Sequence, residues 1–503
     1  MSSIFSKIKH GYQLYTTFGN DRYTEVPDGD LLPKKRPKTF EDSNLVDQLA
    51  SRDLLSWEDK WKRAAPTIVA AKAFKGQLVQ DYLVNEAKAH RKVGSTSPIH
   101  QGDLDFALHT LATILFQDVS DGAKKRVAEE LIYLDTEGFL DATPKTLGLI
   151  RETENHTLMT ECARLLKAKH LGKSYPTERL CDFLDSILKG GIFEFNSLPY
   201  ENVTISSLLI IATYGPEKVK RKTTKILDCI FWRFALGSIN FKSIRPFRRS
   251  RGKQHGKYWM WPKFAMKVFA DRTGMQDGHG LSQISRWKNV SFASAISSYC
   301  PPKKAIEWTI ENPGRYEARF GHGKYGSPEI YSAGRGWLLS AGGTALEDPV
   351  LGNAPRPTTL LTPQTSDLKD SFHIKGPSDD DLKWNNTGVS NGVAVVKDGR
   401  LSVPNRQKPK RIGTGNIRVY EEPAGDETVT VLTCSKDRIT MICVSRAAAH
   451  QAVSGFEVRE DKVVKPNGET VEFELHGDPK KPIIKSHPGS FEEFPKVKLN
   501  KKF

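Results

Sequence analysis

Apolar positions recur at three- and four-residue spacing from about Trp57 to Met275, and that period predicts a succession of helices. Leu104, Leu108, Leu111 and Leu115 form one stripe, Val127, Leu131 and Leu134 begin another, and Leu158, Cys162, Leu165 and Leu166 form a third. Leu180, Phe183, Leu184 and Ile187 make a fourth, and Ile226, Ile230 and Phe234 a later one. Short polar or glycine-containing turns separate these segments, so neighbouring helices are expected to pack antiparallel. Beyond about residue 340 the pattern changes. Pro349, Pro355, Pro357, Pro363 and the polar run from Gly376 to Gly392 interrupt any helix. β-branched runs follow at Thr428 to Cys434 and Ile439 to Val444, separated by the turn Ser435-Lys436-Asp437-Arg438. Val463-Val464, the turn Pro466-Asn467-Gly468 and the alternation from Val471 to Leu475 predict a hairpin.

These shifts divide the chain into four parts. Residues 1–56 read as a polar arm broken by Pro27, Pro33 and Pro37, and 57–320 as a helical domain. Residues 321–478 read as an antiparallel β domain and 479–503 as an extended lysine-rich tail. A chain of 503 residues exceeds what one core usually supports. Its 24 Phe, 14 Tyr and 9 Trp supply enough apolar surface to exclude global disorder.

Charge narrows the partner. Lys and Arg number 75 against 59 Asp and Glu, a net charge of +16, which points to an anion: an acidic polysaccharide, nucleic acid or an anionic surface. The longest apolar runs are far below the ~18 residues needed to cross a bilayer, so no membrane insertion is expected. Met1 to Asp21 lacks the apolar core of a secretory signal, which makes cytoplasmic residence the default expectation. The six cysteines show no CxxC pair and fit thiols in a reducing compartment. Without HExxH or a P-loop lysine, no metal and no cofactor is expected.

Four stretches carry candidate chemistry. In Glu152-Thr153-Glu154-Asn155-His156, two readings stand: Asn155 as a helix N-cap with His156 paired to Glu152, or an amide donor beside a base at a cavity rim. In Phe193 to Glu201, Tyr200 is either a packed ring or an acid, and Asn196, Tyr200 and Glu201 set an amide, a phenol and a carboxylate within one turn. Between Asp228 and Asp271 there is no acid, yet Arg233, Lys242, Arg245, Arg248, Arg249, Arg251, Lys253, Lys257, Lys263 and Lys267 occur, with His255. Trp232, Phe234, Phe241, Phe247, Tyr258, Trp259, Trp261 and Phe264 interleave with them, a mixture suited to stacking nucleobases or sugar rings around bound anions. The glycine-rich Gly321 to Gly343, with Arg335, suggests tight turns between strands.

ETENH at 152–156, EFNSLPY at 194–200, SINFKSIRPFRR at 238–249 and SPEIYSAGRGWLLSAGG at 327–343 resemble the alginate-lyase and heparinase II/III superfamily over roughly residues 100–345. The resemblance implies an incomplete α/α toroid of helical hairpins followed by an antiparallel β-sandwich, with a cleft between them. It also implies β-elimination of a polyuronate. Asn155 would face the substrate carboxylate, His156 would be the base, and Tyr200 the acid to the leaving oxygen. Arg245 and Arg248 would hold further sugar acids. Substrate contacts are expected from Glu194, Asn196, Arg245, Arg248, Arg249, His255, Trp259 and Arg335. The relatives carry an arginine where Leu198 stands, and Glu201 adds a charge of the opposite sign, so the substrate differs or catalysis is lost. The alternative is a non-catalytic protein that binds an acidic glycan or RNA.

Overall fold

The computed structural model describes residues 44–52, parts of 68–77, 154–170, 172–192, 196, 200–245, 247–248, 261–275, 289–312, 316–320, 329–342, 353–354, 358–375, 387–412, 416–436, 438–454, 456–458, 462–465, 467–472 and 496–499. The stripes at 104–115 and 127–134 lie outside them. Described helices span Asn44–Ala50 (α1), Glu154–His170 (α2), Glu178–Gly190 (α3), Glu201–Tyr214 (α4), Glu217–Leu236 (α5), Trp261–Arg272 (α6), Asn289–Ile296 (α7), Lys303–Ile310 (α8) and Ala449–Ser454 (α9).

The helix stripes behave as their period predicts. Leu158, Cys162, Leu165 and Leu166 are buried along α2, and Leu180, Leu184 and Ile187 along α3, where Phe183 of the same stripe is half-buried against the core. α3 stops at Gly191, whose left-handed φ of 77° suits glycine and whose N–H returns to the Ile187 carbonyl. α4 is buried from Glu201 through Ala212, because it packs against α2, α5 and α7 at once. α1 contradicts the polar-arm reading of 1–56: Leu45, Val46 and Leu49 are buried in the helical core, since a short amphipathic segment lies hidden among the arm's charges.

Strands follow at Phe247–Arg248 (β1), Tyr316–Phe320 (β2), Glu329–Gly334 (β3), Trp337–Gly342 (β4), Asn353–Ala354 (β5), Thr358–Leu361 (β6), Phe372–Lys375 (β7), Thr387–Ser390 (β8), Val393–Lys397 (β9), Arg400–Ser402 (β10), Arg411–Ile412 (β11), Arg418–Ala424 (β12), Glu427–Lys436 (β13), Ile439–Ser445 (β14), Glu457–Val458 (β15), Lys462–Val464 (β16), Thr470–Glu472 (β17) and Lys496–Leu499 (β18). One antiparallel sheet runs β10-β7-β6-β4-β3-β2-β18 and another β11-β12-β13-β14-β9-β8. The two hairpins predicted from β-branched runs are β13–β14 and β16–β17, with Arg438 and Gly468 at positive φ in their turns.

The β region begins before residue 321, because Tyr316 and Ala318 pair across the sheet with Ala333 and Tyr331. The 479–503 tail is likewise not wholly extended away from the fold, since Lys496–Leu499 pairs with β2 as an edge strand.

Strand alternation builds layers. In the first sheet Tyr316, Ala318, Tyr331, Ala333, Leu338 and Leu361 join the helical core. The intervening Trp337, Leu339, Leu360, Phe372 and Ile374 share a second core with Val396, Tyr420, Val431 and Ile442 of the other sheet. The outer face of that second sheet is covered by α9 and the β15–β17 sheet around Val419, Leu432 and Met441. Glu422 also points into the inter-sheet layer. Its carboxylate is tolerated there because Arg406 Nη1 and Nη2 donate to it at 2.8 and 2.7 Å, Thr362 Oγ1 at 2.9 Å and Gln407 Nε2 at 2.6 Å.

The helical layer and the first sheet are joined by hydrogen bonds as well as apolar contact. Tyr316 Oη donates to the Leu236 carbonyl at 2.7 Å, Lys242 Nζ to the Pro363 carbonyl at 2.8 Å, and the Ser340 hydroxyl to the Ile244 carbonyl.

Candidate functional site

At this joint a group of polar side chains is buried among apolar neighbours. Glu201 opens α4, Arg233 lies in the last turn of α5, and Arg245 follows the turn after α5. Glu329 and Tyr331 stand on the helix-facing side of β3, and Asn196 occupies a single left-handed position, φ 52°, before α4. Asn196 Nδ2 donates to Glu329 Oε1 and Tyr331 Oη donates to Oε2, each at 2.6 Å. Arg245 Nη1 lies 3.8 Å from Glu329 Oε2, with both side chains almost without exposure. The Arg245 guanidinium stacks 5.3 Å from the centre of the Phe234 ring. Gly237 makes this approach sterically feasible, because a Cβ there would lie 2.5 Å from Tyr331 Oη and 2.8 Å from Arg245 Cδ.

Burial dominates the electrostatics. It pushes the Glu201 carboxyl up to about 7, with Arg245 pulling down and Glu329 pushing up as smaller effects. It draws Arg233 below its ordinary value and raises the Tyr331 phenol well above its own, so Tyr331 acts as a donor. Among the described residues, Glu201 Oε2 and Arg245 Nε and Nη2 have no hydrogen-bond partner. The arrangement therefore pairs a carboxyl group poised near neutrality with guanidinium donors whose capacity is only partly used.

Of the sequence-predicted residues, Asn196 and Arg245 meet in this cluster. Arg245 is drawn inside at 2% exposure and is not a surface arm reaching for sugar acids. Tyr200 immediately precedes Glu201 at the start of α4 and is half-buried. Asn155 is buried within the first turn of α2, which begins at Glu154, so it is not the N-cap. His156 follows it on that helix, and Met159 packs on Val203, tying the early turns of α2 and α4 together. Arg248 lies in β1, paired with Asn353 of β5. Glu194, Arg249, His255 and Trp259 lie outside the described residues. Arg335 sits in the exposed turn after β3, 3.5 Å from Glu427 and about 20 Å along the strand from Glu329 at ~3.3 Å per residue.

The acid-free stretch also changes meaning in three dimensions. Arg245 faces Glu329 and Glu201, and Arg233 faces Glu329, two carboxyl groups that the sequence places outside it. Trp232, Phe234 and Phe241 are core rings, with Trp232 edge-on to Trp308 at 5.8 Å, and do not offer stacking faces to a polymer. The sequence set Glu201 beside Asn196 and Tyr200 and placed Arg233 in the basic stretch, but it did not join them with Glu329 and Tyr331.

Among the described residues, no group of three or more His, Cys, Asp and Glu side chains is placed to hold a metal ion, and no helix is long and apolar enough to cross a membrane. In comparison with known proteins, no family model matches this chain and no curated sequence does so either.

Proposed function

We propose that this chain is a polysaccharide lyase-like protein that binds an anionic, uronate-containing glycan beside the joint of its helices and first sheet, and cleaves it by β-elimination. One observation carries the reading. Asn196, Arg245 and Glu329 come from three separate stretches that resemble the alginate-lyase and heparinase II/III superfamily, and they converge in one buried cluster. In this reading the helices belong to an incomplete α/α toroid and the two large sheets to its β-sandwich.

Elimination removes a weakly acidic proton beside a carboxylate. The base takes that proton, the C–H electron pair becomes a C=C bond, the C–O bond to the leaving sugar breaks, and the departing oxygen gains a proton. His156 is assigned as base, Tyr200 as acid and Asn155 as amide donor to the carboxylate. The buried cluster contributes through its charge. With its value near 7, Glu201 keeps its proton below neutrality, and Glu329 then faces both Arg233 and Arg245. The resulting excess of positive charge favours a substrate carboxylate and stabilises the charge that spreads onto it in the transition state.

A second reading, a binding protein without catalysis, is favoured by how completely Glu329 is engaged, since Asn196, Tyr331 and Arg245 already surround it. The test is the full chain against a panel of polyuronates, with the ultraviolet absorbance of the unsaturated product and equilibrium binding followed together. Product formation supports the lyase, and binding without product leaves the non-catalytic glycan binder. Tighter binding of RNA than of every polyuronate at equal salt overturns the glycan reading.

A further inference from the structure

A second cationic group gathers at the turn that leads to Arg245. After α5 the chain reverses through the Ile239–Lys242 bridge, with Asn240 and Phe241 at φ of 46° and 59°. Two non-glycine residues in the left-handed region cost on the order of 1 kcal/mol each. The reversal is held by the Phe241 N–H donating to the Thr309 carbonyl at 3.1 Å, and it buries the Phe241 ring. Lys267 of α6 places its Nζ 5.6 Å from the centre of that ring. Lys242, the next residue after Phe241, is anchored to the Pro363 carbonyl. Lys263 stands one helical turn before Lys267 on the same side of α6. All three side chains are half-buried.

Among the described residues, these ammonium groups are not balanced as the arginines are. Burial draws Lys263 down to about 8, and Lys267 and Lys242 push it in the same direction. Burial also lowers Lys267 and Lys242. The acid that bears on Lys242 is Asp370, whose carboxylate is already held by Arg406 at 2.9 Å and by Ser366 at 3.0 Å. Like charges gathered in a partly desolvated corner are unfavourable until an anion joins them.

We propose that Lys242, Lys263 and Lys267 form a binding site for a doubly charged tetrahedral oxoanion, a sulfate or phosphate group, separate from the Glu201–Arg245 cluster. An ammonium is a compact point charge with three donors and suits a tetrahedral acceptor, whereas the planar fork of arginine suits a carboxylate. A lone carboxylate would neutralise one of the three charges, and a divalent oxoanion two. The site does not depend on the elimination chemistry, because none of its residues belongs to that machinery.

The test is calorimetric titration of the full chain at pH 7 with sodium sulfate, sodium phosphate and sodium chloride at matched ionic strength, and with a sulfated disaccharide. Saturable binding of sulfate or phosphate, absent with chloride, is expected. Lys263→Gln and the double variant Lys263→Gln/Lys267→Gln should weaken it at least tenfold, with circular dichroism reporting the fold. Lys303→Gln, at an exposed lysine 3.4 Å from Glu307, should leave it unchanged. Should the double variant not fold, the single variant and the wild type at pH 9.5 decide. Loss of the Lys263 proton, with Lys267 and Lys242 facing it and Asp370 beyond, lowers affinity as pH rises through 8. Tighter binding of the sulfated disaccharide than of free sulfate identifies an ester as the source, and the reverse order identifies the free ion. Equal heats for sulfate, phosphate and chloride, or equal affinities in wild type and Lys263→Gln, overturn the proposal.

Discussion

Asn196 donates its side-chain amide to Glu329 at 2.6 Å, joining positions 133 apart in the chain at a carboxylate that has no exposure. One residue serves two needs there. Asparagine tolerates the left-handed φ of 52° better than most residues, and its amide supplies the neutral donor that a buried carboxylate requires.

Substitutions at this pair separate the two roles. Asn196→Gly keeps the backbone and loses the hydrogen bond, at a cost of about 1–3 kcal/mol. Asn196→Ala adds roughly 1 kcal/mol of left-handed strain. Glu329→Gln leaves Arg245 without its nearest carboxylate and should cost about 3–5 kcal/mol. Urea unfolding should rank the stabilities as wild type, then Gly, then Ala, then Gln. Equal stability of the Gly and Ala variants would remove the backbone part of the argument.

Glu201 makes stability depend on pH with a definite sign. Between the ordinary carboxyl value of 4.5 and about 7, the folded protein holds a proton that the unfolded chain has released. Stability therefore falls as pH rises through that window, by up to roughly 3 kcal/mol, and is level above it. Glu201→Gln mimics the protonated carboxyl and should abolish that fall. Melting temperatures of the two proteins, measured from pH 5 to pH 8, should converge at the acid end and separate toward the other. Parallel curves would show that Glu201 ionises as an ordinary carboxyl.

Gly237 tests the packing. Its φ is −102°, so alanine is admissible for the backbone, and the new methyl group would meet Tyr331 Oη, Tyr331 Cζ and Arg245 Cδ. Gly237→Ala should destabilise by about 1–3 kcal/mol, the ordinary cost of overpacking. Pairing it with Tyr331→Phe, which removes the atom nearest the new methyl group, should recover part of that loss. Strict additivity in the double variant would show that the two positions do not collide.

The chemical assignment has its own signature. If the chain cleaves a polyuronate, His156→Ala and Tyr200→Phe should each abolish product while leaving glycan affinity nearly intact, since both act in proton transfer. Asn155→Ala should lower the rate and weaken binding modestly, because an amide facing the carboxylate acts in both ground and transition states. Full activity of His156→Ala, read by ultraviolet absorbance, would discard that residue as the base.

The amino-acid sequence by itself determined the local elements whose pattern is short in range. The stripe Leu158, Cys162, Leu165 and Leu166 and the stripe Leu180, Leu184 and Ile187 are helix faces because 3.6-residue periodicity is a property of neighbours in the chain. The β13–β14 hairpin was legible for the same reason, two β-branched runs on either side of a polar turn, although pairing extends through Ser435 and Lys436 and leaves two residues between the strands where the sequence reading had four. Tertiary structure alone decided which charges meet. The sequence reads 229–270 as an uncompensated basic stretch, yet Glu201 of an earlier helix bears on Arg245, and Glu329 of a later strand on both Arg245 and Arg233. It separates Lys242 from Lys263 by 21 positions, and the left-handed turn at Asn240 and Phe241 together with the placement of α6 draws them into one corner. α1 was hidden among polar residues, and β18 lay in a lysine-rich tail whose composition favours solvent. In each case the deciding force is burial or pairing between distant segments, which removes water from charged groups and changes what they do, and no local pattern encodes that.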